Sequence, residues 1–105
     1  MCGLAGELTG GSVETMPRAQ AARIAELLLH RGPDDSGIWQ SRTCTLIHRR
    51  LSIQDLSPAG HQPMQSACGR YRLVFNGEIY NYKALREQLE ARGERFVSTG
   101  DTEVL

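Results

Sequence analysis

The chain has 105 residues, room for one domain and no more. Hydrophobic residues make up 40% and charged residues 23%, an ordinary globular balance that excludes a disordered chain and promises a core burying roughly two-thirds of the unfolded surface. Twelve Lys and Arg balance twelve Asp and Glu, so the totals give no support to a nucleic-acid or anionic-membrane partner.

The elements follow in chain order. Gly3 to Leu8 is short and half apolar and is closed by Thr9-Gly10-Gly11-Ser12, which predicts a strand at the N-terminus. Pro17, suited to a first helical turn, precedes Ala21, Ile24, Ala25, Leu27 and Leu28, which share one helix face. His30-Arg31-Gly32-Pro33 stops that helix. Gly37-Ile38-Trp39 and Cys44 to His48 read as two strands joined across residues 40–43. Gln54 to Pro63 is polar and holds Ser57-Pro58-Ala59-Gly60, a loop. Tyr71 to Phe75 alternates as a further strand and ends at Asn76-Gly77, a turn pair whose glycine permits positive φ. Asn81 is placed to cap a second helix through Ala84, Leu85 and Leu89, ended by Gly93. Arg95-Phe96-Val97 reads as a last short strand, and Asp101-Thr102 as the start of another helix. Strands joined by turns rather than helical crossovers predict an antiparallel α+β fold.

The longest apolar stretch, Leu27 to Leu29, is far short of a membrane span. Glu7 follows the apolar pair Leu4-Ala5 at once, and no basic region precedes it, so no signal peptide is read. Three widely spaced cysteines, Cys2, Cys44 and Cys68, do not form a disulfide framework. A cytoplasmic, reducing location is expected.

Cys2 is the first candidate for chemistry. A buried cysteine is usually a small hydrophobe, but position 2 changes its prospects. Cysteine is small enough for Met1 to be removed, which would leave a free α-amine beside the thiol. An α-amine titrates near about 7.7–8.0, so it can accept the thiol proton at neutral pH. Nucleophile and base would share one residue. His48 stands four after Cys44, yet no second Cys/His pair completes a zinc site, and His48 reads as a satisfied structural histidine.

Six stretches occur in order: Met1 to Gly6, Arg31-Gly32-Pro33-Asp34, His48 to Ile53, Asp55-Leu56-Ser57 with Ala59 to Met64, Phe75 to Asn81, and Gly100 to Val104. Together they closely resemble the N-terminal glutaminase domain of glutamine-hydrolysing asparagine synthetases, class II amidotransferases with an N-terminal nucleophile. The loop from Ser52 to Pro63 looks like that branch rather than the phosphosugar or purine-pathway amidotransferases. The resemblance implies a four-layer αββα sandwich of two antiparallel sheets between helices. It also implies a length about twice this one, so that only the N-terminal part of the sandwich is expected here.

Roles come with the resemblance, residue by residue. Cys2 would attack the carboxamide of glutamine, and Asn76 and Gly77 match the oxyanion-hole positions. Arg50 matches the residue that grips the substrate α-carboxylate, a two-pronged contact that suits a guanidinium, with Arg49 a solvated neighbour. Asp101 matches the carboxylate that pairs with the substrate ammonium, with Glu78 alongside; Asp101 also suits an N-cap. Arg31 to Asp34 would shape the pocket wall. His61, Cys44 and Cys68 read as structural.

The resemblance then implies glutamine as the substrate and a synthetase domain or subunit as the recipient of ammonia, using ATP and Mg²⁺ to convert aspartate to asparagine. No cofactor is expected in this segment, which holds no Ser-Gly-Gly pyrophosphate loop. Open sheet edges and core faces would make the isolated segment associate with copies of itself or belong to a longer protein. Two rivals stay open: a relative that amidates a peptide, sugar or polymer precursor, and a non-catalytic glutamine-binding or oligomerising module, marked by retained Met1.

Overall fold

A computed structural model describes all residues 1–105. β1 (Gly3–Leu8), β2 (Asp35–Gln40) and β3 (Cys44–Arg50) form an antiparallel sheet in the order β1-β3-β2. The β2–β3 hairpin and the N-terminal strand are thus where the sequence puts them. α1 (Arg18–Leu27) covers one face, and Pro17 stands just before its first turn rather than within it. A hairpin of β4 (Met64–Gln65) and β5 (Arg72–Leu73) and the helix α2 (Tyr82–Ala91) follow. The fold class is antiparallel α+β, as expected. No helix is long and apolar enough to cross a membrane.

Alternation along β3 gives its two faces different work. Thr45 and Ile47 point toward α1, where Ile47 pairs with Ala5 and Ile38 across the sheet and packs under Ala21 and Ala25. His48 and Arg50, also buried, point the other way, toward the loops.

The promised core is much smaller than the composition suggests. Ala21, Ala25 and Ile47 are the only buried hydrophobic residues, while Leu8 is 81% and Leu56 79% exposed. The Cα radius of gyration is 14.7 Å, against about 13 Å for a compact chain of this length. The molecule is a thin slab, 42 × 33 × 19 Å.

Several local expectations fail for a shared reason. Tyr71 to Phe75 is not one strand: only Arg72–Leu73 pairs, because the Phe75 N–H is bonded to Gln62 Oε1 and its carbonyl to His48 Nε2. Arg95–Val97 is not a strand either, since the N–H groups of Val97 and Ser98 are taken by the Glu103 carboxylate. Asn81 stands at the N-cap of α2, but its side chain accepts no capping N–H. Asp101 precedes only a single 3₁₀ turn, Thr102–Val104, and its carboxylate accepts from Ile79 N at 2.8 Å instead of capping that turn.

Gly77 does not have positive φ, unlike Gly93, which ends α2 at φ +95 as expected. Its lack of a side chain is needed for another reason. A Cβ there would lie 2.7 Å from the Phe75 ring. Arg49 is no solvated bystander: its Nε donates to Gly32 O at 2.8 Å, tying the turn after α1 to β3.

Candidate active site

One cleft of about 450 Å³ collects residues from both ends of the chain. Its lining includes Cys2, Arg50, Asn76, Gly77, Glu78 and Asp101. All six residues singled out from the sequence therefore meet in one place. The volume lies within the range of small-molecule sites, about 300–1,000 Å³.

Cys2 precedes β1 and is half-buried. Its Sγ accepts from Leu51 N at 3.3 Å, just past the end of β3. The antiparallel register that places Gly3 opposite Arg49 accounts for this meeting, because it carries Cys2 to the exit of β3. Arg50, one residue earlier, is 8% exposed. Its guanidinium donates to the carbonyls of Ser57 and Asp55, so the polar loop wraps around it. A Cβ at Gly60 would collide with this guanidinium, which explains a glycine at that point of the loop. Two of five N–H donors are engaged by those carbonyls, which leaves others for a ligand.

The loops facing the sheet are held by buried or half-buried carboxylates. Asp55 accepts from the Ser57 hydroxyl and N–H and, across the cleft, from Thr99 N at 2.8 Å. The Ser57 hydroxyl and then the Thr99 N–H hold its carboxyl well below the usual carboxylate range. Glu103 binds Val97 N, Ser98 N and the Ser98 hydroxyl. Burial pushes Glu103 up, but these donors outweigh it and the net shift is downward. Arg86 of α2 donates to Ser98 O at 2.7 Å and lies 4.5 Å from the centroid of the Phe96 ring. The segment carrying Gly100 and Asp101 is thereby fixed on both sides.

Arg31 to Asp34 does not line the Cys2 cleft. Gly32 packs on the β3 backbone at Arg49, and Asp34 accepts from Ser52 N at 2.8 Å. The motif braces the chain leaving β3, and Asp34 and Asp35 border a separate cavity shared with Arg50 and His61. There His61 Nδ1 lies 2.6 Å from Asp35 Oδ2. Asp35 is raised by burial and lowered more strongly by that contact and its neighbours, with a net downward shift. Nowhere are three or more His, Cys, Asp or Glu side chains gathered so that they could hold a metal ion.

Two residues of the neighbourhood went without a site role in the sequence: Gln62, which lines the cleft, and His48, which lies under it. Its place inside an ordered loop motif, Ala59 to Met64, was the available signal for Gln62.

The profile of the glutamine amidotransferase domain matches residues 1–105, the whole chain. The chain belongs to this family. It is 38% identical over 109 residues to asparagine synthetase [glutamine-hydrolyzing] 3 of Bacillus subtilis, and 40% identical over 112 residues to asparagine synthetase [glutamine-hydrolyzing] 1 of the same organism. Each match takes in 100% of this chain and 17% of the relative. Asparagine synthetase B [glutamine-hydrolyzing] of Escherichia coli is 43% identical over 88 residues, covering 84% of this chain and 16% of that protein. This amidotransferase domain thus spans about a sixth of the length of the relatives it matches, in their N-terminal part.

Proposed function

We propose that this domain is the glutaminase part of an asparagine-synthetase-type amidotransferase, releasing ammonia from glutamine through a thioester on Cys2. The observation that carries the reading is the single cleft shared by Cys2, Arg50, Asn76-Gly77, Glu78 and Asp101. With Met1 removed, the Cys2 α-amine takes the thiol proton as sulfur attacks the glutamine side-chain carbonyl. The C=O electron pair moves onto oxygen, where the Asn76 side-chain NH₂ and the Gly77 N–H stabilise the charge. The C–N bond then breaks, the protonated amine gives its proton to the leaving nitrogen, and ammonia departs. Water attacks the γ-glutamyl thioester with the same amine as base, releasing glutamate and restoring the thiol.

Arg50 would hold the α-carboxylate and Asp101, with Glu78 beside it, the α-ammonium. The two charges sit at opposite ends of the amino acid's head, so glutamine is fixed with its carboxamide toward Cys2. Ammonia would pass to a synthetase domain or subunit, where ATP and Mg²⁺ would activate the acceptor. Within the same reading, this segment forms one part of a larger four-layer sandwich in the cytoplasm. The exposed apolar face around Leu4 and Leu8 fits a layer still to be covered.

Ammonia release from glutamine by the full chain, compared with its Cys2→Ala variant, tests the reading. Turnover in the parent and none in the variant is the expected result. Equal rates in both would sink it, and a parent without turnover would favour a binding module instead.

A further inference from the structure

The oxyanion positions, Asn76 and Gly77, lie in no helix or strand. Donors in such a segment work only if something else holds their aim, because a misplacement of about 1 Å can cost on the order of 10²-fold in rate. The residue before them supplies the hold. The backbone N–H of Phe75 donates to Gln62 Oε1 at 2.6 Å, and its carbonyl lies 3.2 Å from His48 Nε2. Both polar groups of one residue are thus pinned by two side chains from different elements, one on a strand and one in a loop.

Neither side chain is free to wander. His48 is 1% and Gln62 6% exposed. Burial keeps the His48 imidazole below its usual range, hence neutral, with the carbonyl selecting the tautomer protonated on Nε2. Gln62 is seated by close approach of its own backbone to the sheet: a Cβ at Gly37 would fall on the Gln62 carbonyl. The register puts Gly37 directly opposite His48, so the same row of the sheet carries both halves of the clamp. The far end of Gln62 reaches Thr102 Oγ1 at 3.5 Å, next to Asp101. Phe75 itself closes the arrangement, its ring lying where a side chain on Gly77 would stand.

We infer that His48 and Gln62 are positioning residues of the reaction: they hold the Phe75 peptide so that the Asn76 amide and the Gly77 N–H stay aimed at the developing oxyanion. The inference rests on the glutaminase reading above. Since the oxyanion develops only after glutamine is bound, in the transition states and the tetrahedral intermediate between them, loosening the clamp lowers kcat and leaves glutamine binding nearly alone.

The test uses the full chain with His48→Leu, His48→Gln and Gln62→Met, and counts working sites by alkylation of Cys2 with a diazo-ketone analogue of glutamine. Per titrated site, His48→Leu and Gln62→Met should lose about 10–100-fold in kcat with KM changed by less than about threefold. His48→Gln, whose amide can still donate to the Phe75 carbonyl, should recover to within about fivefold of the parent. A purely structural role predicts fewer titrated sites and a lower Tm at unchanged kcat per site, and that result would overturn the inference. If His48→Leu does not fold, Gln62→Met decides alone. A parent chain that hydrolyses no glutamine overturns the glutaminase reading and this inference with it, whereas parent turnover with unimpaired variants overturns the clamp only.

Discussion

Residues 3–50 and residues 51–105 are built by different means. The first half is regular: three strands in register and a helix on one face, with Ile47 at the centre of the apolar contact. The second half has two-residue strands, single 3₁₀ turns and a helix with no buried residue. Side chains that capture backbone groups hold it to the first, through Arg50 on the carbonyls of Asp55 and Ser57 and His48 on Phe75. Others hold its own loops together, through Gln62 on Phe75, Asp55 on Thr99 and Asp101 on Ile79. The division suits the chemistry proposed here. The proposed nucleophile, Cys2, and the proposed carboxylate grip, Arg50, stand at the end of a sheet, while Asn76, Gly77, Glu78 and Asp101 come from loops, where geometry depends on individual polar contacts.

Substitutions can sharpen this contrast or break it. The largest effect is expected at Cys2: Cys2→Ala should lower glutamine hydrolysis by at least about 10⁴-fold, measured as ammonia release, with Tm almost unchanged. Ile47→Ala, at the centre of the regular half, should cost about 2–5 kcal/mol in chemical unfolding, because a fully buried side chain leaves a cavity. A smaller loss would mean that the α1–sheet contact contributes little. Arg50→Lys crosses the boundary. It should raise KM for glutamine about 10–100-fold and also lower Tm, since lysine cannot both span the two loop carbonyls and present a fork to a carboxylate.

In the loop half, Asp55→Asn should destabilise by about 1–3 kcal/mol, with amide exchange at Ser57 and Thr99 rising more than at β3. Uniform acceleration across the sheet would instead make the two halves one cooperative unit. The smallest effect is a pH dependence. His48 has its folded-state pKa lowered, so its contribution is fully present above the unfolded value of about 6.5 and is lost as pH falls through the lower folded value. His48→Gln should flatten the fall in unfolding free energy between about pH 7 and pH 5. Asp55, also lowered, acts in a separate window: its contribution is present above about pH 4 and lost below it.

The same contrast governs what could be read from the sequence. β1, the β2–β3 hairpin and α1 were legible because short apolar runs, helical periodicity and flanking turn residues mark them, and these are local patterns. Tyr71–Phe75, which alternates, and Arg95–Val97, a short run with two apolar residues, misled because their backbone groups bond to Gln62, His48 and Glu103, partners that local pattern does not encode. Gly77 reads in the sequence as a turn glycine with positive φ, but its constraint is the Phe75 ring. The six candidate site residues came with the family resemblance that the ordered motifs carry, and the fold brings all of them to one cleft. The work of His48 and Gln62 was hidden because it passes through the backbone of Phe75. The small core was equally hidden, since composition counts apolar residues without saying what covers them.

The most direct test of the account is intact mass of the purified protein before and after incubation with a diazo-ketone analogue of glutamine, with the adduct mapped by peptide analysis. The account predicts loss of Met1 and one adduct, on Cys2, with excess glutamine slowing its formation. Retained Met1, or a processed Cys2 that takes no adduct while Cys44 or Cys68 does, would contradict it.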